Sequence, residues 1–310
     1  MQVNAKVIIT DEIDEKGIEI LKKQGLDVSY KPGIDKDELM NIIKDYDILI
    51  VRSRTKVRKD LIDASNLKII ARVGVGLDNI DVEYAKAKGI KVLNAEEAAM
   101  SSVAELVLGL MISLARGITR ADASMKEGKW IKKELVGIEL KGKYLGIVGV
   151  GKIGRRIGRL ARALGMNLIG YDVVSIDQQF IRETNMIVTD LDTLLKSSDF
   201  VTLHVPLTDH TRHMINKDKL ALMKNTAYII NTSRGAVIDE DALYEALKNN
   251  KIAGAALDVF EEEPPRNLDL IRLQNIICTP HIGAQTKEAQ ELAANVIAEK
   301  IIQELLKEKV

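Results

Sequence analysis

The sequence is poor in several residue types, and each shortage excludes a class of protein. Its 310 residues include one cysteine, five prolines and 4% aromatic residues. The single cysteine, Cys278, cannot form a disulfide within the chain, which is typical of proteins from a reducing cytosol. Five prolines provide no proline-rich linker. We therefore expect a cytoplasmic chain that is stabilised by a packed core and not by covalent cross-links.

Net charge and long apolar runs are also lacking. The 45 basic residues equal the 45 acidic ones, so a general basic surface for nucleic acid or anionic lipid is not expected. The uncharged apolar stretch 106–115 is about half the length that a transmembrane helix needs, which is about 20 residues. Residues 1–10 do not show the pattern of a signal peptide. The four histidines and the one cysteine lack metal-ligand spacing, so no metal site is predicted.

What the chain has is a regular alternation of short apolar runs and amphipathic stretches. Such runs are typical of parallel strands covered by helices on both faces, and they predict doubly wound α/β domains. A length of 310 residues corresponds to about two domains. The predicted strands include 6–10, 47–51, 68–73, 91–94, 144–148, 167–171, 200–205, 227–231 and 252–259, and the predicted helices include 14–23, 35–44, 153–164 and 240–249.

Two further helices are predicted with particular packing. The stretch 101–116 is apolar nearly all round, and Ser101 and Ser102 are good N-cap residues, with Glu105 three residues after Ser102. We expect this helix to be buried between domains or against another subunit. The stretch 286–310 has one apolar stripe, at positions 292, 296, 297, 301, 302, 305 and 306. It is expected to pack back on the first domain.

A glycine-rich turn in mid-chain has the context of a dinucleotide site. Gly149, Gly151 and Gly154 follow the apolar run 145–148 and precede a predicted helix, and Asp172 ends the next predicted strand. In this pattern the glycines allow a tight turn, approach of a pyrophosphate and close packing of helix on strand. The helix N-terminus favours negative charge. Asp172 would bind ribose hydroxyls and repel a 2′-phosphate, which favours NAD over NADP.

Polar residues follow three other apolar runs in the second half of the chain. Arg234 comes after the run that ends near 231, Asp258 and Glu263 come after 255–257, and His281 comes after 276–278. Ligands of open parallel sheets bind at the carboxyl ends of strands, so these side chains are candidates for catalysis.

These residues lie in motifs that resemble the D-isomer-specific 2-hydroxyacid dehydrogenases. The resemblance covers essentially the whole chain. Within the family it is strongest to members that act on D-3-phosphoglycerate, because residues 51–55 are Val-Arg-Ser-Arg-Thr where such members place basic residues for the substrate phosphate. The matching motifs are 73–81, 102–106, 145–154, 231–239, 257–264 and 279–283.

The resemblance implies a catalytic set of Arg234, Glu263 and His281. A histidine can give and take a proton near neutral pH, so His281 would act as the acid or base for the substrate hydroxyl. Glu263 would fix the tautomer of the imidazole. The guanidinium of Arg234 suits a carboxylate.

The resemblance also implies which residues bind cofactor and substrate. Besides the glycine turn and Asp172, the implied cofactor contacts are Lys152, Ile153, His204, Val205, Pro206, Thr232, Ser233, Asp258 and Gly283. The implied substrate contacts, besides Arg234 and His281, are Arg52, Ser53, Arg54, Val75 and Gly76. Arg72, just before the turn that holds Val75 and Gly76, is a further candidate.

The predicted architecture is two Rossmann-like or flavodoxin-like doubly wound domains with parallel sheets and an active-site cleft between them. Residues 1–94 and 285–310 would form the substrate domain, and 95–284 the NAD domain. The family implies a homodimer. A chain ending at residue 310 leads us to expect the short form, without a C-terminal regulatory domain.

The leading functional prediction is NAD-dependent oxidation of D-3-phosphoglycerate to 3-phosphohydroxypyruvate, the entry to serine synthesis. Two alternatives stay open. The same machinery serves reductases of glyoxylate, hydroxypyruvate or other D-2-hydroxy acids, and an NAD-sensing co-repressor-like protein shares the fold.

Overall fold

A computed structural model describes residues 5–307 of the chain. Within that range the strands are β1 (Lys6–Ile9), β2 (Asp27–Tyr30), β3 (Ile48–Val51), β4 (Ile69–Arg72), β5 (Lys91–Asn94), β6 (Tyr144–Val148), β7 (Asn167–Tyr171), β8 (Ile187–Val188), β9 (Phe200–Leu203), β10 (Tyr228–Asn231), β11 (Gly254–Leu257) and β12 (Ile276–Cys278). The helices are α1 (Glu15–Lys23), α2 (Lys36–Ile42), α3 (Lys59–Asp63), α4 (Val82–Ala87), α5 (Met100–Arg116), α6 (Ile118–Lys126), α7 (Lys152–Ala163), α8 (Gln178–Thr184), α9 (Leu191–Ser197), α10 (Lys217–Leu222), α11 (Glu240–Lys248), α12 (Leu268–Ile271) and α13 (Lys287–Lys307).

The chain divides into two compact units. The first unit runs to Ala99 and resumes at Ala284, and the second is Met100–Gly283. The sequence placed these boundaries after residues 94 and 284. The roles assigned to the two units stay predictions.

The first unit is built on a five-stranded parallel sheet of order β2-β1-β3-β4-β5. This is the order of flavodoxin-like doubly wound sheets. Successive strand residues point to opposite faces. Ile8 and Leu49 therefore enter one core, and Val7 and Ile48 enter the other. Burial on both faces explains why the three central strands, β1, β3 and β4, are almost continuously apolar.

The second unit is built on a seven-stranded parallel sheet of order β12-β11-β10-β9-β6-β7-β8. Counted within the unit, this is the Rossmann order with one additional strand at an edge. Its core includes Val148, Val201, Ile229 and Leu257 from four neighbouring strands. The two sheets confirm the predicted fold class of doubly wound parallel α/β domains.

Helix α13 belongs to the first unit and packs on α1. The predicted stripe is confirmed at Ile297, Ile301 and Leu305, which are buried, and is wrong at two leucines. Leu292 and Leu306 are 45% and 54% exposed. The buried face is rich in alanine because α1 comes very close: a Cβ added to Gly17 would lie 2.8 Å from the Cβ of Ala294. Small side chains permit such close packing. The prediction considered the large apolar residues and therefore missed the alanines. The predicted helix end, residues 308–310, lies outside the described part of the chain.

Helix α5 begins at Met100, so the predicted N-caps are wrong. Ser102 is buried within the first turn and is not its cap. Ile112 of this helix is 37% exposed in the single chain, and burial of the helix between domains or against another subunit stays a prediction. Among the described helices none alone is long and apolar enough to cross a bilayer, whereas α5 and α6 together, bent by 67° at their junction, reach that length and composition.

Candidate active site

The candidate residues of the second unit lie after neighbouring parallel strands. The glycine turn follows β6, His204 follows β9, Arg234 follows β10, Asp258 follows β11 and His281 follows β12. Since parallel strands end at the same edge of a sheet, these side chains share one edge. The chain changes direction across the sheet between β6 and β9, which is where open α/β sheets bind ligands.

The glycine turn has the geometry that the motif predicts. Gly149 has φ +90°, and a Cβ there would lie 2.7 Å from the carbonyl oxygen of His204. A Cβ on Gly154 would lie 2.3 Å from the carbonyl oxygen of Gly149. The turn therefore brings the start of α7, with Lys152 and Ile153, tightly against the end of β6. Val205 also packs against this turn.

Asp172 lies beside the turn, as a ribose ligand should. Its carboxylate accepts hydrogen bonds from the backbone N–H of Val150 at 2.7 Å and of Val174 at 3.1 Å. These bonds hold an acidic group next to the N-terminus of α7, in the position where it would repel a 2′-phosphate.

Two observations show that the site fits a dinucleotide. Gly151 has φ −72° and no protein atom within 4 Å of an added Cβ, so nothing inside the protein requires glycine there. A bound pyrophosphate approaching the backbone would require it. The Thr232 hydroxyl is buried and has no hydrogen-bond partner among the described residues. It is available to a bound group.

His281 and Glu263 form a hydrogen-bonded pair. The imidazole Nδ1 lies 2.8 Å from one carboxylate oxygen of Glu263 and 3.1 Å from the other. A carboxylate only accepts, so Nδ1 carries the proton and the neutral ring keeps its lone pair on Nε2. Burial acts to raise the pKa of Glu263, but the hydrogen bond and charge of His281, with the charge of Arg234, hold it below its usual range. The carboxylate therefore stays ionised.

The backbone at His281 is in a conformation that non-glycine residues seldom adopt. Its φ is +54°, and such a residue persists only where its surroundings hold it. Asp258, which is 1% exposed, provides that support. One carboxylate oxygen accepts from the Thr279 hydroxyl at 2.6 Å and the Ile282 N–H at 2.8 Å, and the other accepts from the Gly283 N–H at 2.8 Å. The structure thus uses Asp258 to shape the loop; its direct contact with the cofactor stays a prediction.

Arg234 follows a turn that is fixed by Asn231. The Asn231 side chain donates to the Arg234 carbonyl at 2.9 Å and accepts from the Ser233 N–H and hydroxyl at 3.0 and 2.9 Å. The Arg234 guanidinium donates to the Ser233 carbonyl at 2.6 Å. Asn231 is fully buried, so this turn has a rigid base.

His204 is a neutral group in this site. Burial lowers its pKa to about 3, and its Nε2 lies 2.8 Å from the Thr202 hydroxyl. Because protonation would leave a buried charge, we expect the imidazole to stay neutral from pH 8 down to about pH 4. Histidine ring NMR shifts test this: those of His204 should be constant over that range. A midpoint near pH 6.5, the ordinary value, would contradict it.

The two predicted phosphate ligands of the first unit differ in their surroundings. Arg54 is occupied: its Nη2 donates to the carbonyls of Thr10 at 2.9 Å and Ile34 at 3.1 Å, and its Nε lies 3.4 Å from Asp11. The Arg52 guanidinium instead donates to the side-chain oxygen of Gln285 at 3.0 Å. The structure thus gives Arg54 a role in holding loops together. Ser53, between them, is exposed.

The turn at Val75 and Gly76 is held through its carbonyls. Asn94 donates to the carbonyl of Val75 at 2.6 Å, and the Arg72 guanidinium donates to the carbonyl of Gly76. In a trans peptide the N–H points opposite to the carbonyl. The Gly76 N–H is thereby turned away from Asn94, as a carboxylate ligand requires.

Sequence reasoning missed two buried residues that organise this part of the first unit. Asp11, 4% exposed, accepts from the backbone N–H of Arg52 at 2.6 Å and of Thr55 at 3.2 Å. Asn79 donates to the carbonyls of the same two residues at 3.1 and 2.7 Å. Asp11 could have been found from its position directly after the predicted strand 6–10, since Asp172 was found from its position after the strand 167–171.

Comparison with known proteins identifies the family. Residues 108–283 match the family described as D-isomer specific 2-hydroxyacid dehydrogenase, NAD binding domain. The chain belongs to this family, as its motifs predicted.

In the described residues no three His, Cys, Asp or Glu side chains form a group that could hold a metal ion.

Individual relatives are similar over nearly all of this chain. It is 52% identical over 298 residues to D-3-phosphoglycerate dehydrogenase of Methanocaldococcus jannaschii, covering 96% of this chain and 56% of that protein. It is 51% identical over 307 residues to hydroxypyruvate reductase of Thermotoga maritima, covering 97% and 98%. A solved structure, D-lactate dehydrogenase from Aquifex aeolicus complexed with NAD and lactic acid, matches with a TM-score of 0.85 and 32% identity over 97% of this chain and 95% of that one. The chain thus spans about half the length of the phosphoglycerate dehydrogenase and nearly all of the reductase.

Proposed function

We propose that this protein oxidises D-3-phosphoglycerate to 3-phosphohydroxypyruvate with NAD, the first step of the phosphorylated route to serine. The observation that carries the proposal is the His281–Glu263 pair, 2.8 Å apart, at the sheet edge that also holds the glycine turn. The likeness to phosphoglycerate dehydrogenases over 96% of this chain supports the choice of substrate.

His281 is the proton acceptor in this proposal. Its Nδ1 proton is bound by Glu263, so Nε2 takes the proton of the substrate's 2-hydroxyl group. The ionised Glu263 then stabilises the imidazolium that forms. In the reverse direction the imidazolium returns the proton to the carbonyl oxygen.

Two other groups complete the chemistry. When bound, NAD supplies the acceptor for the hydride of the substrate's C2 atom. Gly149, Gly151 and Asp172 would hold it, with Thr232 as a polar contact. Arg234 would bind the substrate carboxylate through paired hydrogen bonds and so fix C2 relative to His281.

Arg52 is the proposed ligand of the substrate phosphate, since the guanidinium of Arg54 is used by backbone carbonyls. Arg52→Ala should lower kcat/KM for 3-phosphohydroxypyruvate by about 10–150-fold, the range for losing a charge-assisted hydrogen bond of about 1.5–3 kcal/mol. Hydroxypyruvate, which lacks the phosphate, should be affected far less. Initial rates of NADH oxidation with both substrates measure this. An equal loss for both would remove Arg52 from phosphate recognition.

A second candidate function is reduction of hydroxypyruvate. The observation that favours it is the 51% identity over 307 residues to the hydroxypyruvate reductase of Thermotoga maritima. The residues proposed for proton transfer and cofactor binding would be the same. The two functions differ only in whether a phosphate on the substrate increases kcat/KM.

We also propose that the protein acts as a homodimer. Large apolar side chains are exposed on α5, α6 and the loop that follows, including Ile112, Met125, Trp130 and Val136. Several large apolar side chains exposed within one stretch of the chain are expected where a partner covers them. Light scattering should give a mass near twice 34.3 kDa; a mass near 34.3 kDa would contradict this.

A further inference from the structure

The first unit has a cavity at its own topological switch point. The chain leaves β1 towards β2 on one side of the sheet and leaves β3 towards β4 on the other, so a crevice forms between the ends of β1 and β3. A cavity of about 270 Å³ lies there, bordered by the start of α1, by Arg52 and Gly74, and by Gln290 of α13. Of the described residues that line it, Arg52 alone is basic.

The backbone of Arg52 is fixed at both ends. Its N–H donates to Asp11 at 2.6 Å, and its carbonyl accepts from the Nε of Arg72 at 3.0 Å and from Asn79 at 3.1 Å. The side chain beyond has several rotatable bonds, and ordering such a side chain costs up to about 2 kcal/mol. A ligand that had to order it would bind less tightly.

Gln285 holds the end of that side chain. The Arg52 Nη2 donates to Gln285 Oε1 at 3.0 Å, and the Nε2 of Gln290 donates to the same oxygen at 2.6 Å. A guanidinium has no acceptor, so the amide must present its oxygen, and the bond from Gln290 keeps it turned that way. Arg52 and Gln290 line the cavity, and Gln285 joins their side chains through these two hydrogen bonds.

Gln285 has no charge, and this affects how strongly Arg52 can attract an anion. Three carboxylates, those of Glu12, Asp14 and Glu15, also line the cavity. If one of them paired with Arg52, the positive charge would be compensated before an anion arrived. An amide oxygen orients the guanidinium and leaves its charge uncompensated. Arg52 keeps further N–H donors besides the one given to Gln285.

We propose that Gln285, itself held by Gln290, is a positioning residue that presents Arg52 to the phosphate of the substrate. The inference rests on the proposed function, since it assumes that a phosphorylated 2-keto acid or 2-hydroxy acid binds here. It adds the residues that set the preference for the phosphorylated substrate.

The test uses the full chain and two substitutions at one position. Gln285→Met removes the acceptor and keeps the size, whereas Gln285→Glu keeps an acceptor and adds a negative charge. The measurement is the ratio of kcat/KM for 3-phosphohydroxypyruvate to that for hydroxypyruvate, with NADH. Releasing one ordered side chain corresponds to a decrease of about three- to tenfold in this ratio for the methionine variant. The decrease should lie in KM of the phosphorylated substrate and not in kcat.

The glutamate variant separates positioning from packing. Since it pairs the charge of Arg52, its ratio should fall at least as far as that of Gln285→Met, although the hydrogen bond is retained. Gln290→Met should show a smaller decrease in the same direction. A role in folding alone would lower kcat/KM for both substrates alike and leave the ratio at the wild-type value.

Three outcomes would overturn the inference, and the last is distinguishable from the other two. In the first, the wild type prefers the phosphorylated substrate and Arg52→Ala removes that preference, but the Gln285 variants keep it. This result would mean that Gln285 does not position Arg52. A Gln285→Glu variant with the wild-type ratio has the same meaning. If the wild type itself shows no preference for the phosphorylated substrate, the proposed function fails together with the inference, and the wild type alone reveals this.

Discussion

Replacing His281 by asparagine is expected to lower kcat by about 10²–10⁴-fold, the range that general acid–base groups contribute. Asparagine is chosen because it tolerates the φ of +54° at this position better than most residues. The loss should appear in both directions of the reaction, since in the proposed mechanism His281 accepts the proton in one and returns it in the other. Steady-state rates with saturating cofactor measure it.

Binding of NADH is the control for this substitution. The glycine turn and Asp172 lie on other strands of the sheet, so the dissociation constant of NADH, measured by fluorescence, should change little. Glu263→Gln should lower kcat less, because the imidazole stays in place without its ionised partner. If His281→Asn kept a kcat within about threefold of the wild type, His281 would not be the general acid–base group.

Gly235→Ala is expected to destabilise the protein by about 3 kcal/mol or more, at the upper end of the range for overpacking. A Cβ at this position would lie 1.8 Å from the carbonyl carbon of Phe260 and 2.3 Å from the backbone nitrogen of Glu261. These are backbone atoms, which cannot rotate away. The substitution pushes the turn of Arg234 and the loop of Glu263 apart, so activity should fall with stability. Urea unfolding and steady-state rates measure the two effects.

Gly151→Ala is the matched control. It adds the same methyl group at a position with open space and an ordinary φ, so its unfolding curve should be close to that of the wild type. Its affinity for NADH should fall, since the methyl group would occupy the place proposed for the pyrophosphate. If Gly235→Ala unfolded at the wild-type urea concentration, the close contact would not be a constraint on the fold.

Strand positions were the most predictable part of the fold. The runs at Lys91–Asn94, Tyr144–Val148 and Asn167–Tyr171 match the observed strands residue for residue. For the last two the reason is burial on both faces, which makes a strand continuously apolar. The sequence of α13 was more misleading. The predicted stripe is buried at Ile297, Ile301 and Leu305 but exposed at Leu292 and Leu306. Because α1 lies at a short distance, alanines such as Ala294 are buried beside it. That distance is a tertiary property, and residue periodicity does not contain it.

The candidate site was predictable where residues follow strands. Arg234 and His281 were found in this way, and the structure places them at the same edge of the second sheet. The sequence could not show which of Arg52 and Arg54 is the better phosphate ligand, because both follow the same strand. It depends on which carbonyls each guanidinium reaches, and Arg54 reaches those of Thr10 and Ile34, which are distant in sequence.

The most direct test of the proposed function is the substrate preference of the wild-type enzyme. Purified protein is assayed by NADH oxidation with 3-phosphohydroxypyruvate, hydroxypyruvate and glyoxylate, and by NAD and NADP reduction with D-3-phosphoglycerate. We predict the highest kcat/KM for 3-phosphohydroxypyruvate, and faster reduction of NAD than of NADP because of Asp172. A higher kcat/KM for hydroxypyruvate or glyoxylate would contradict the assignment of the substrate, and no turnover with any of them would contradict the assignment of an enzyme.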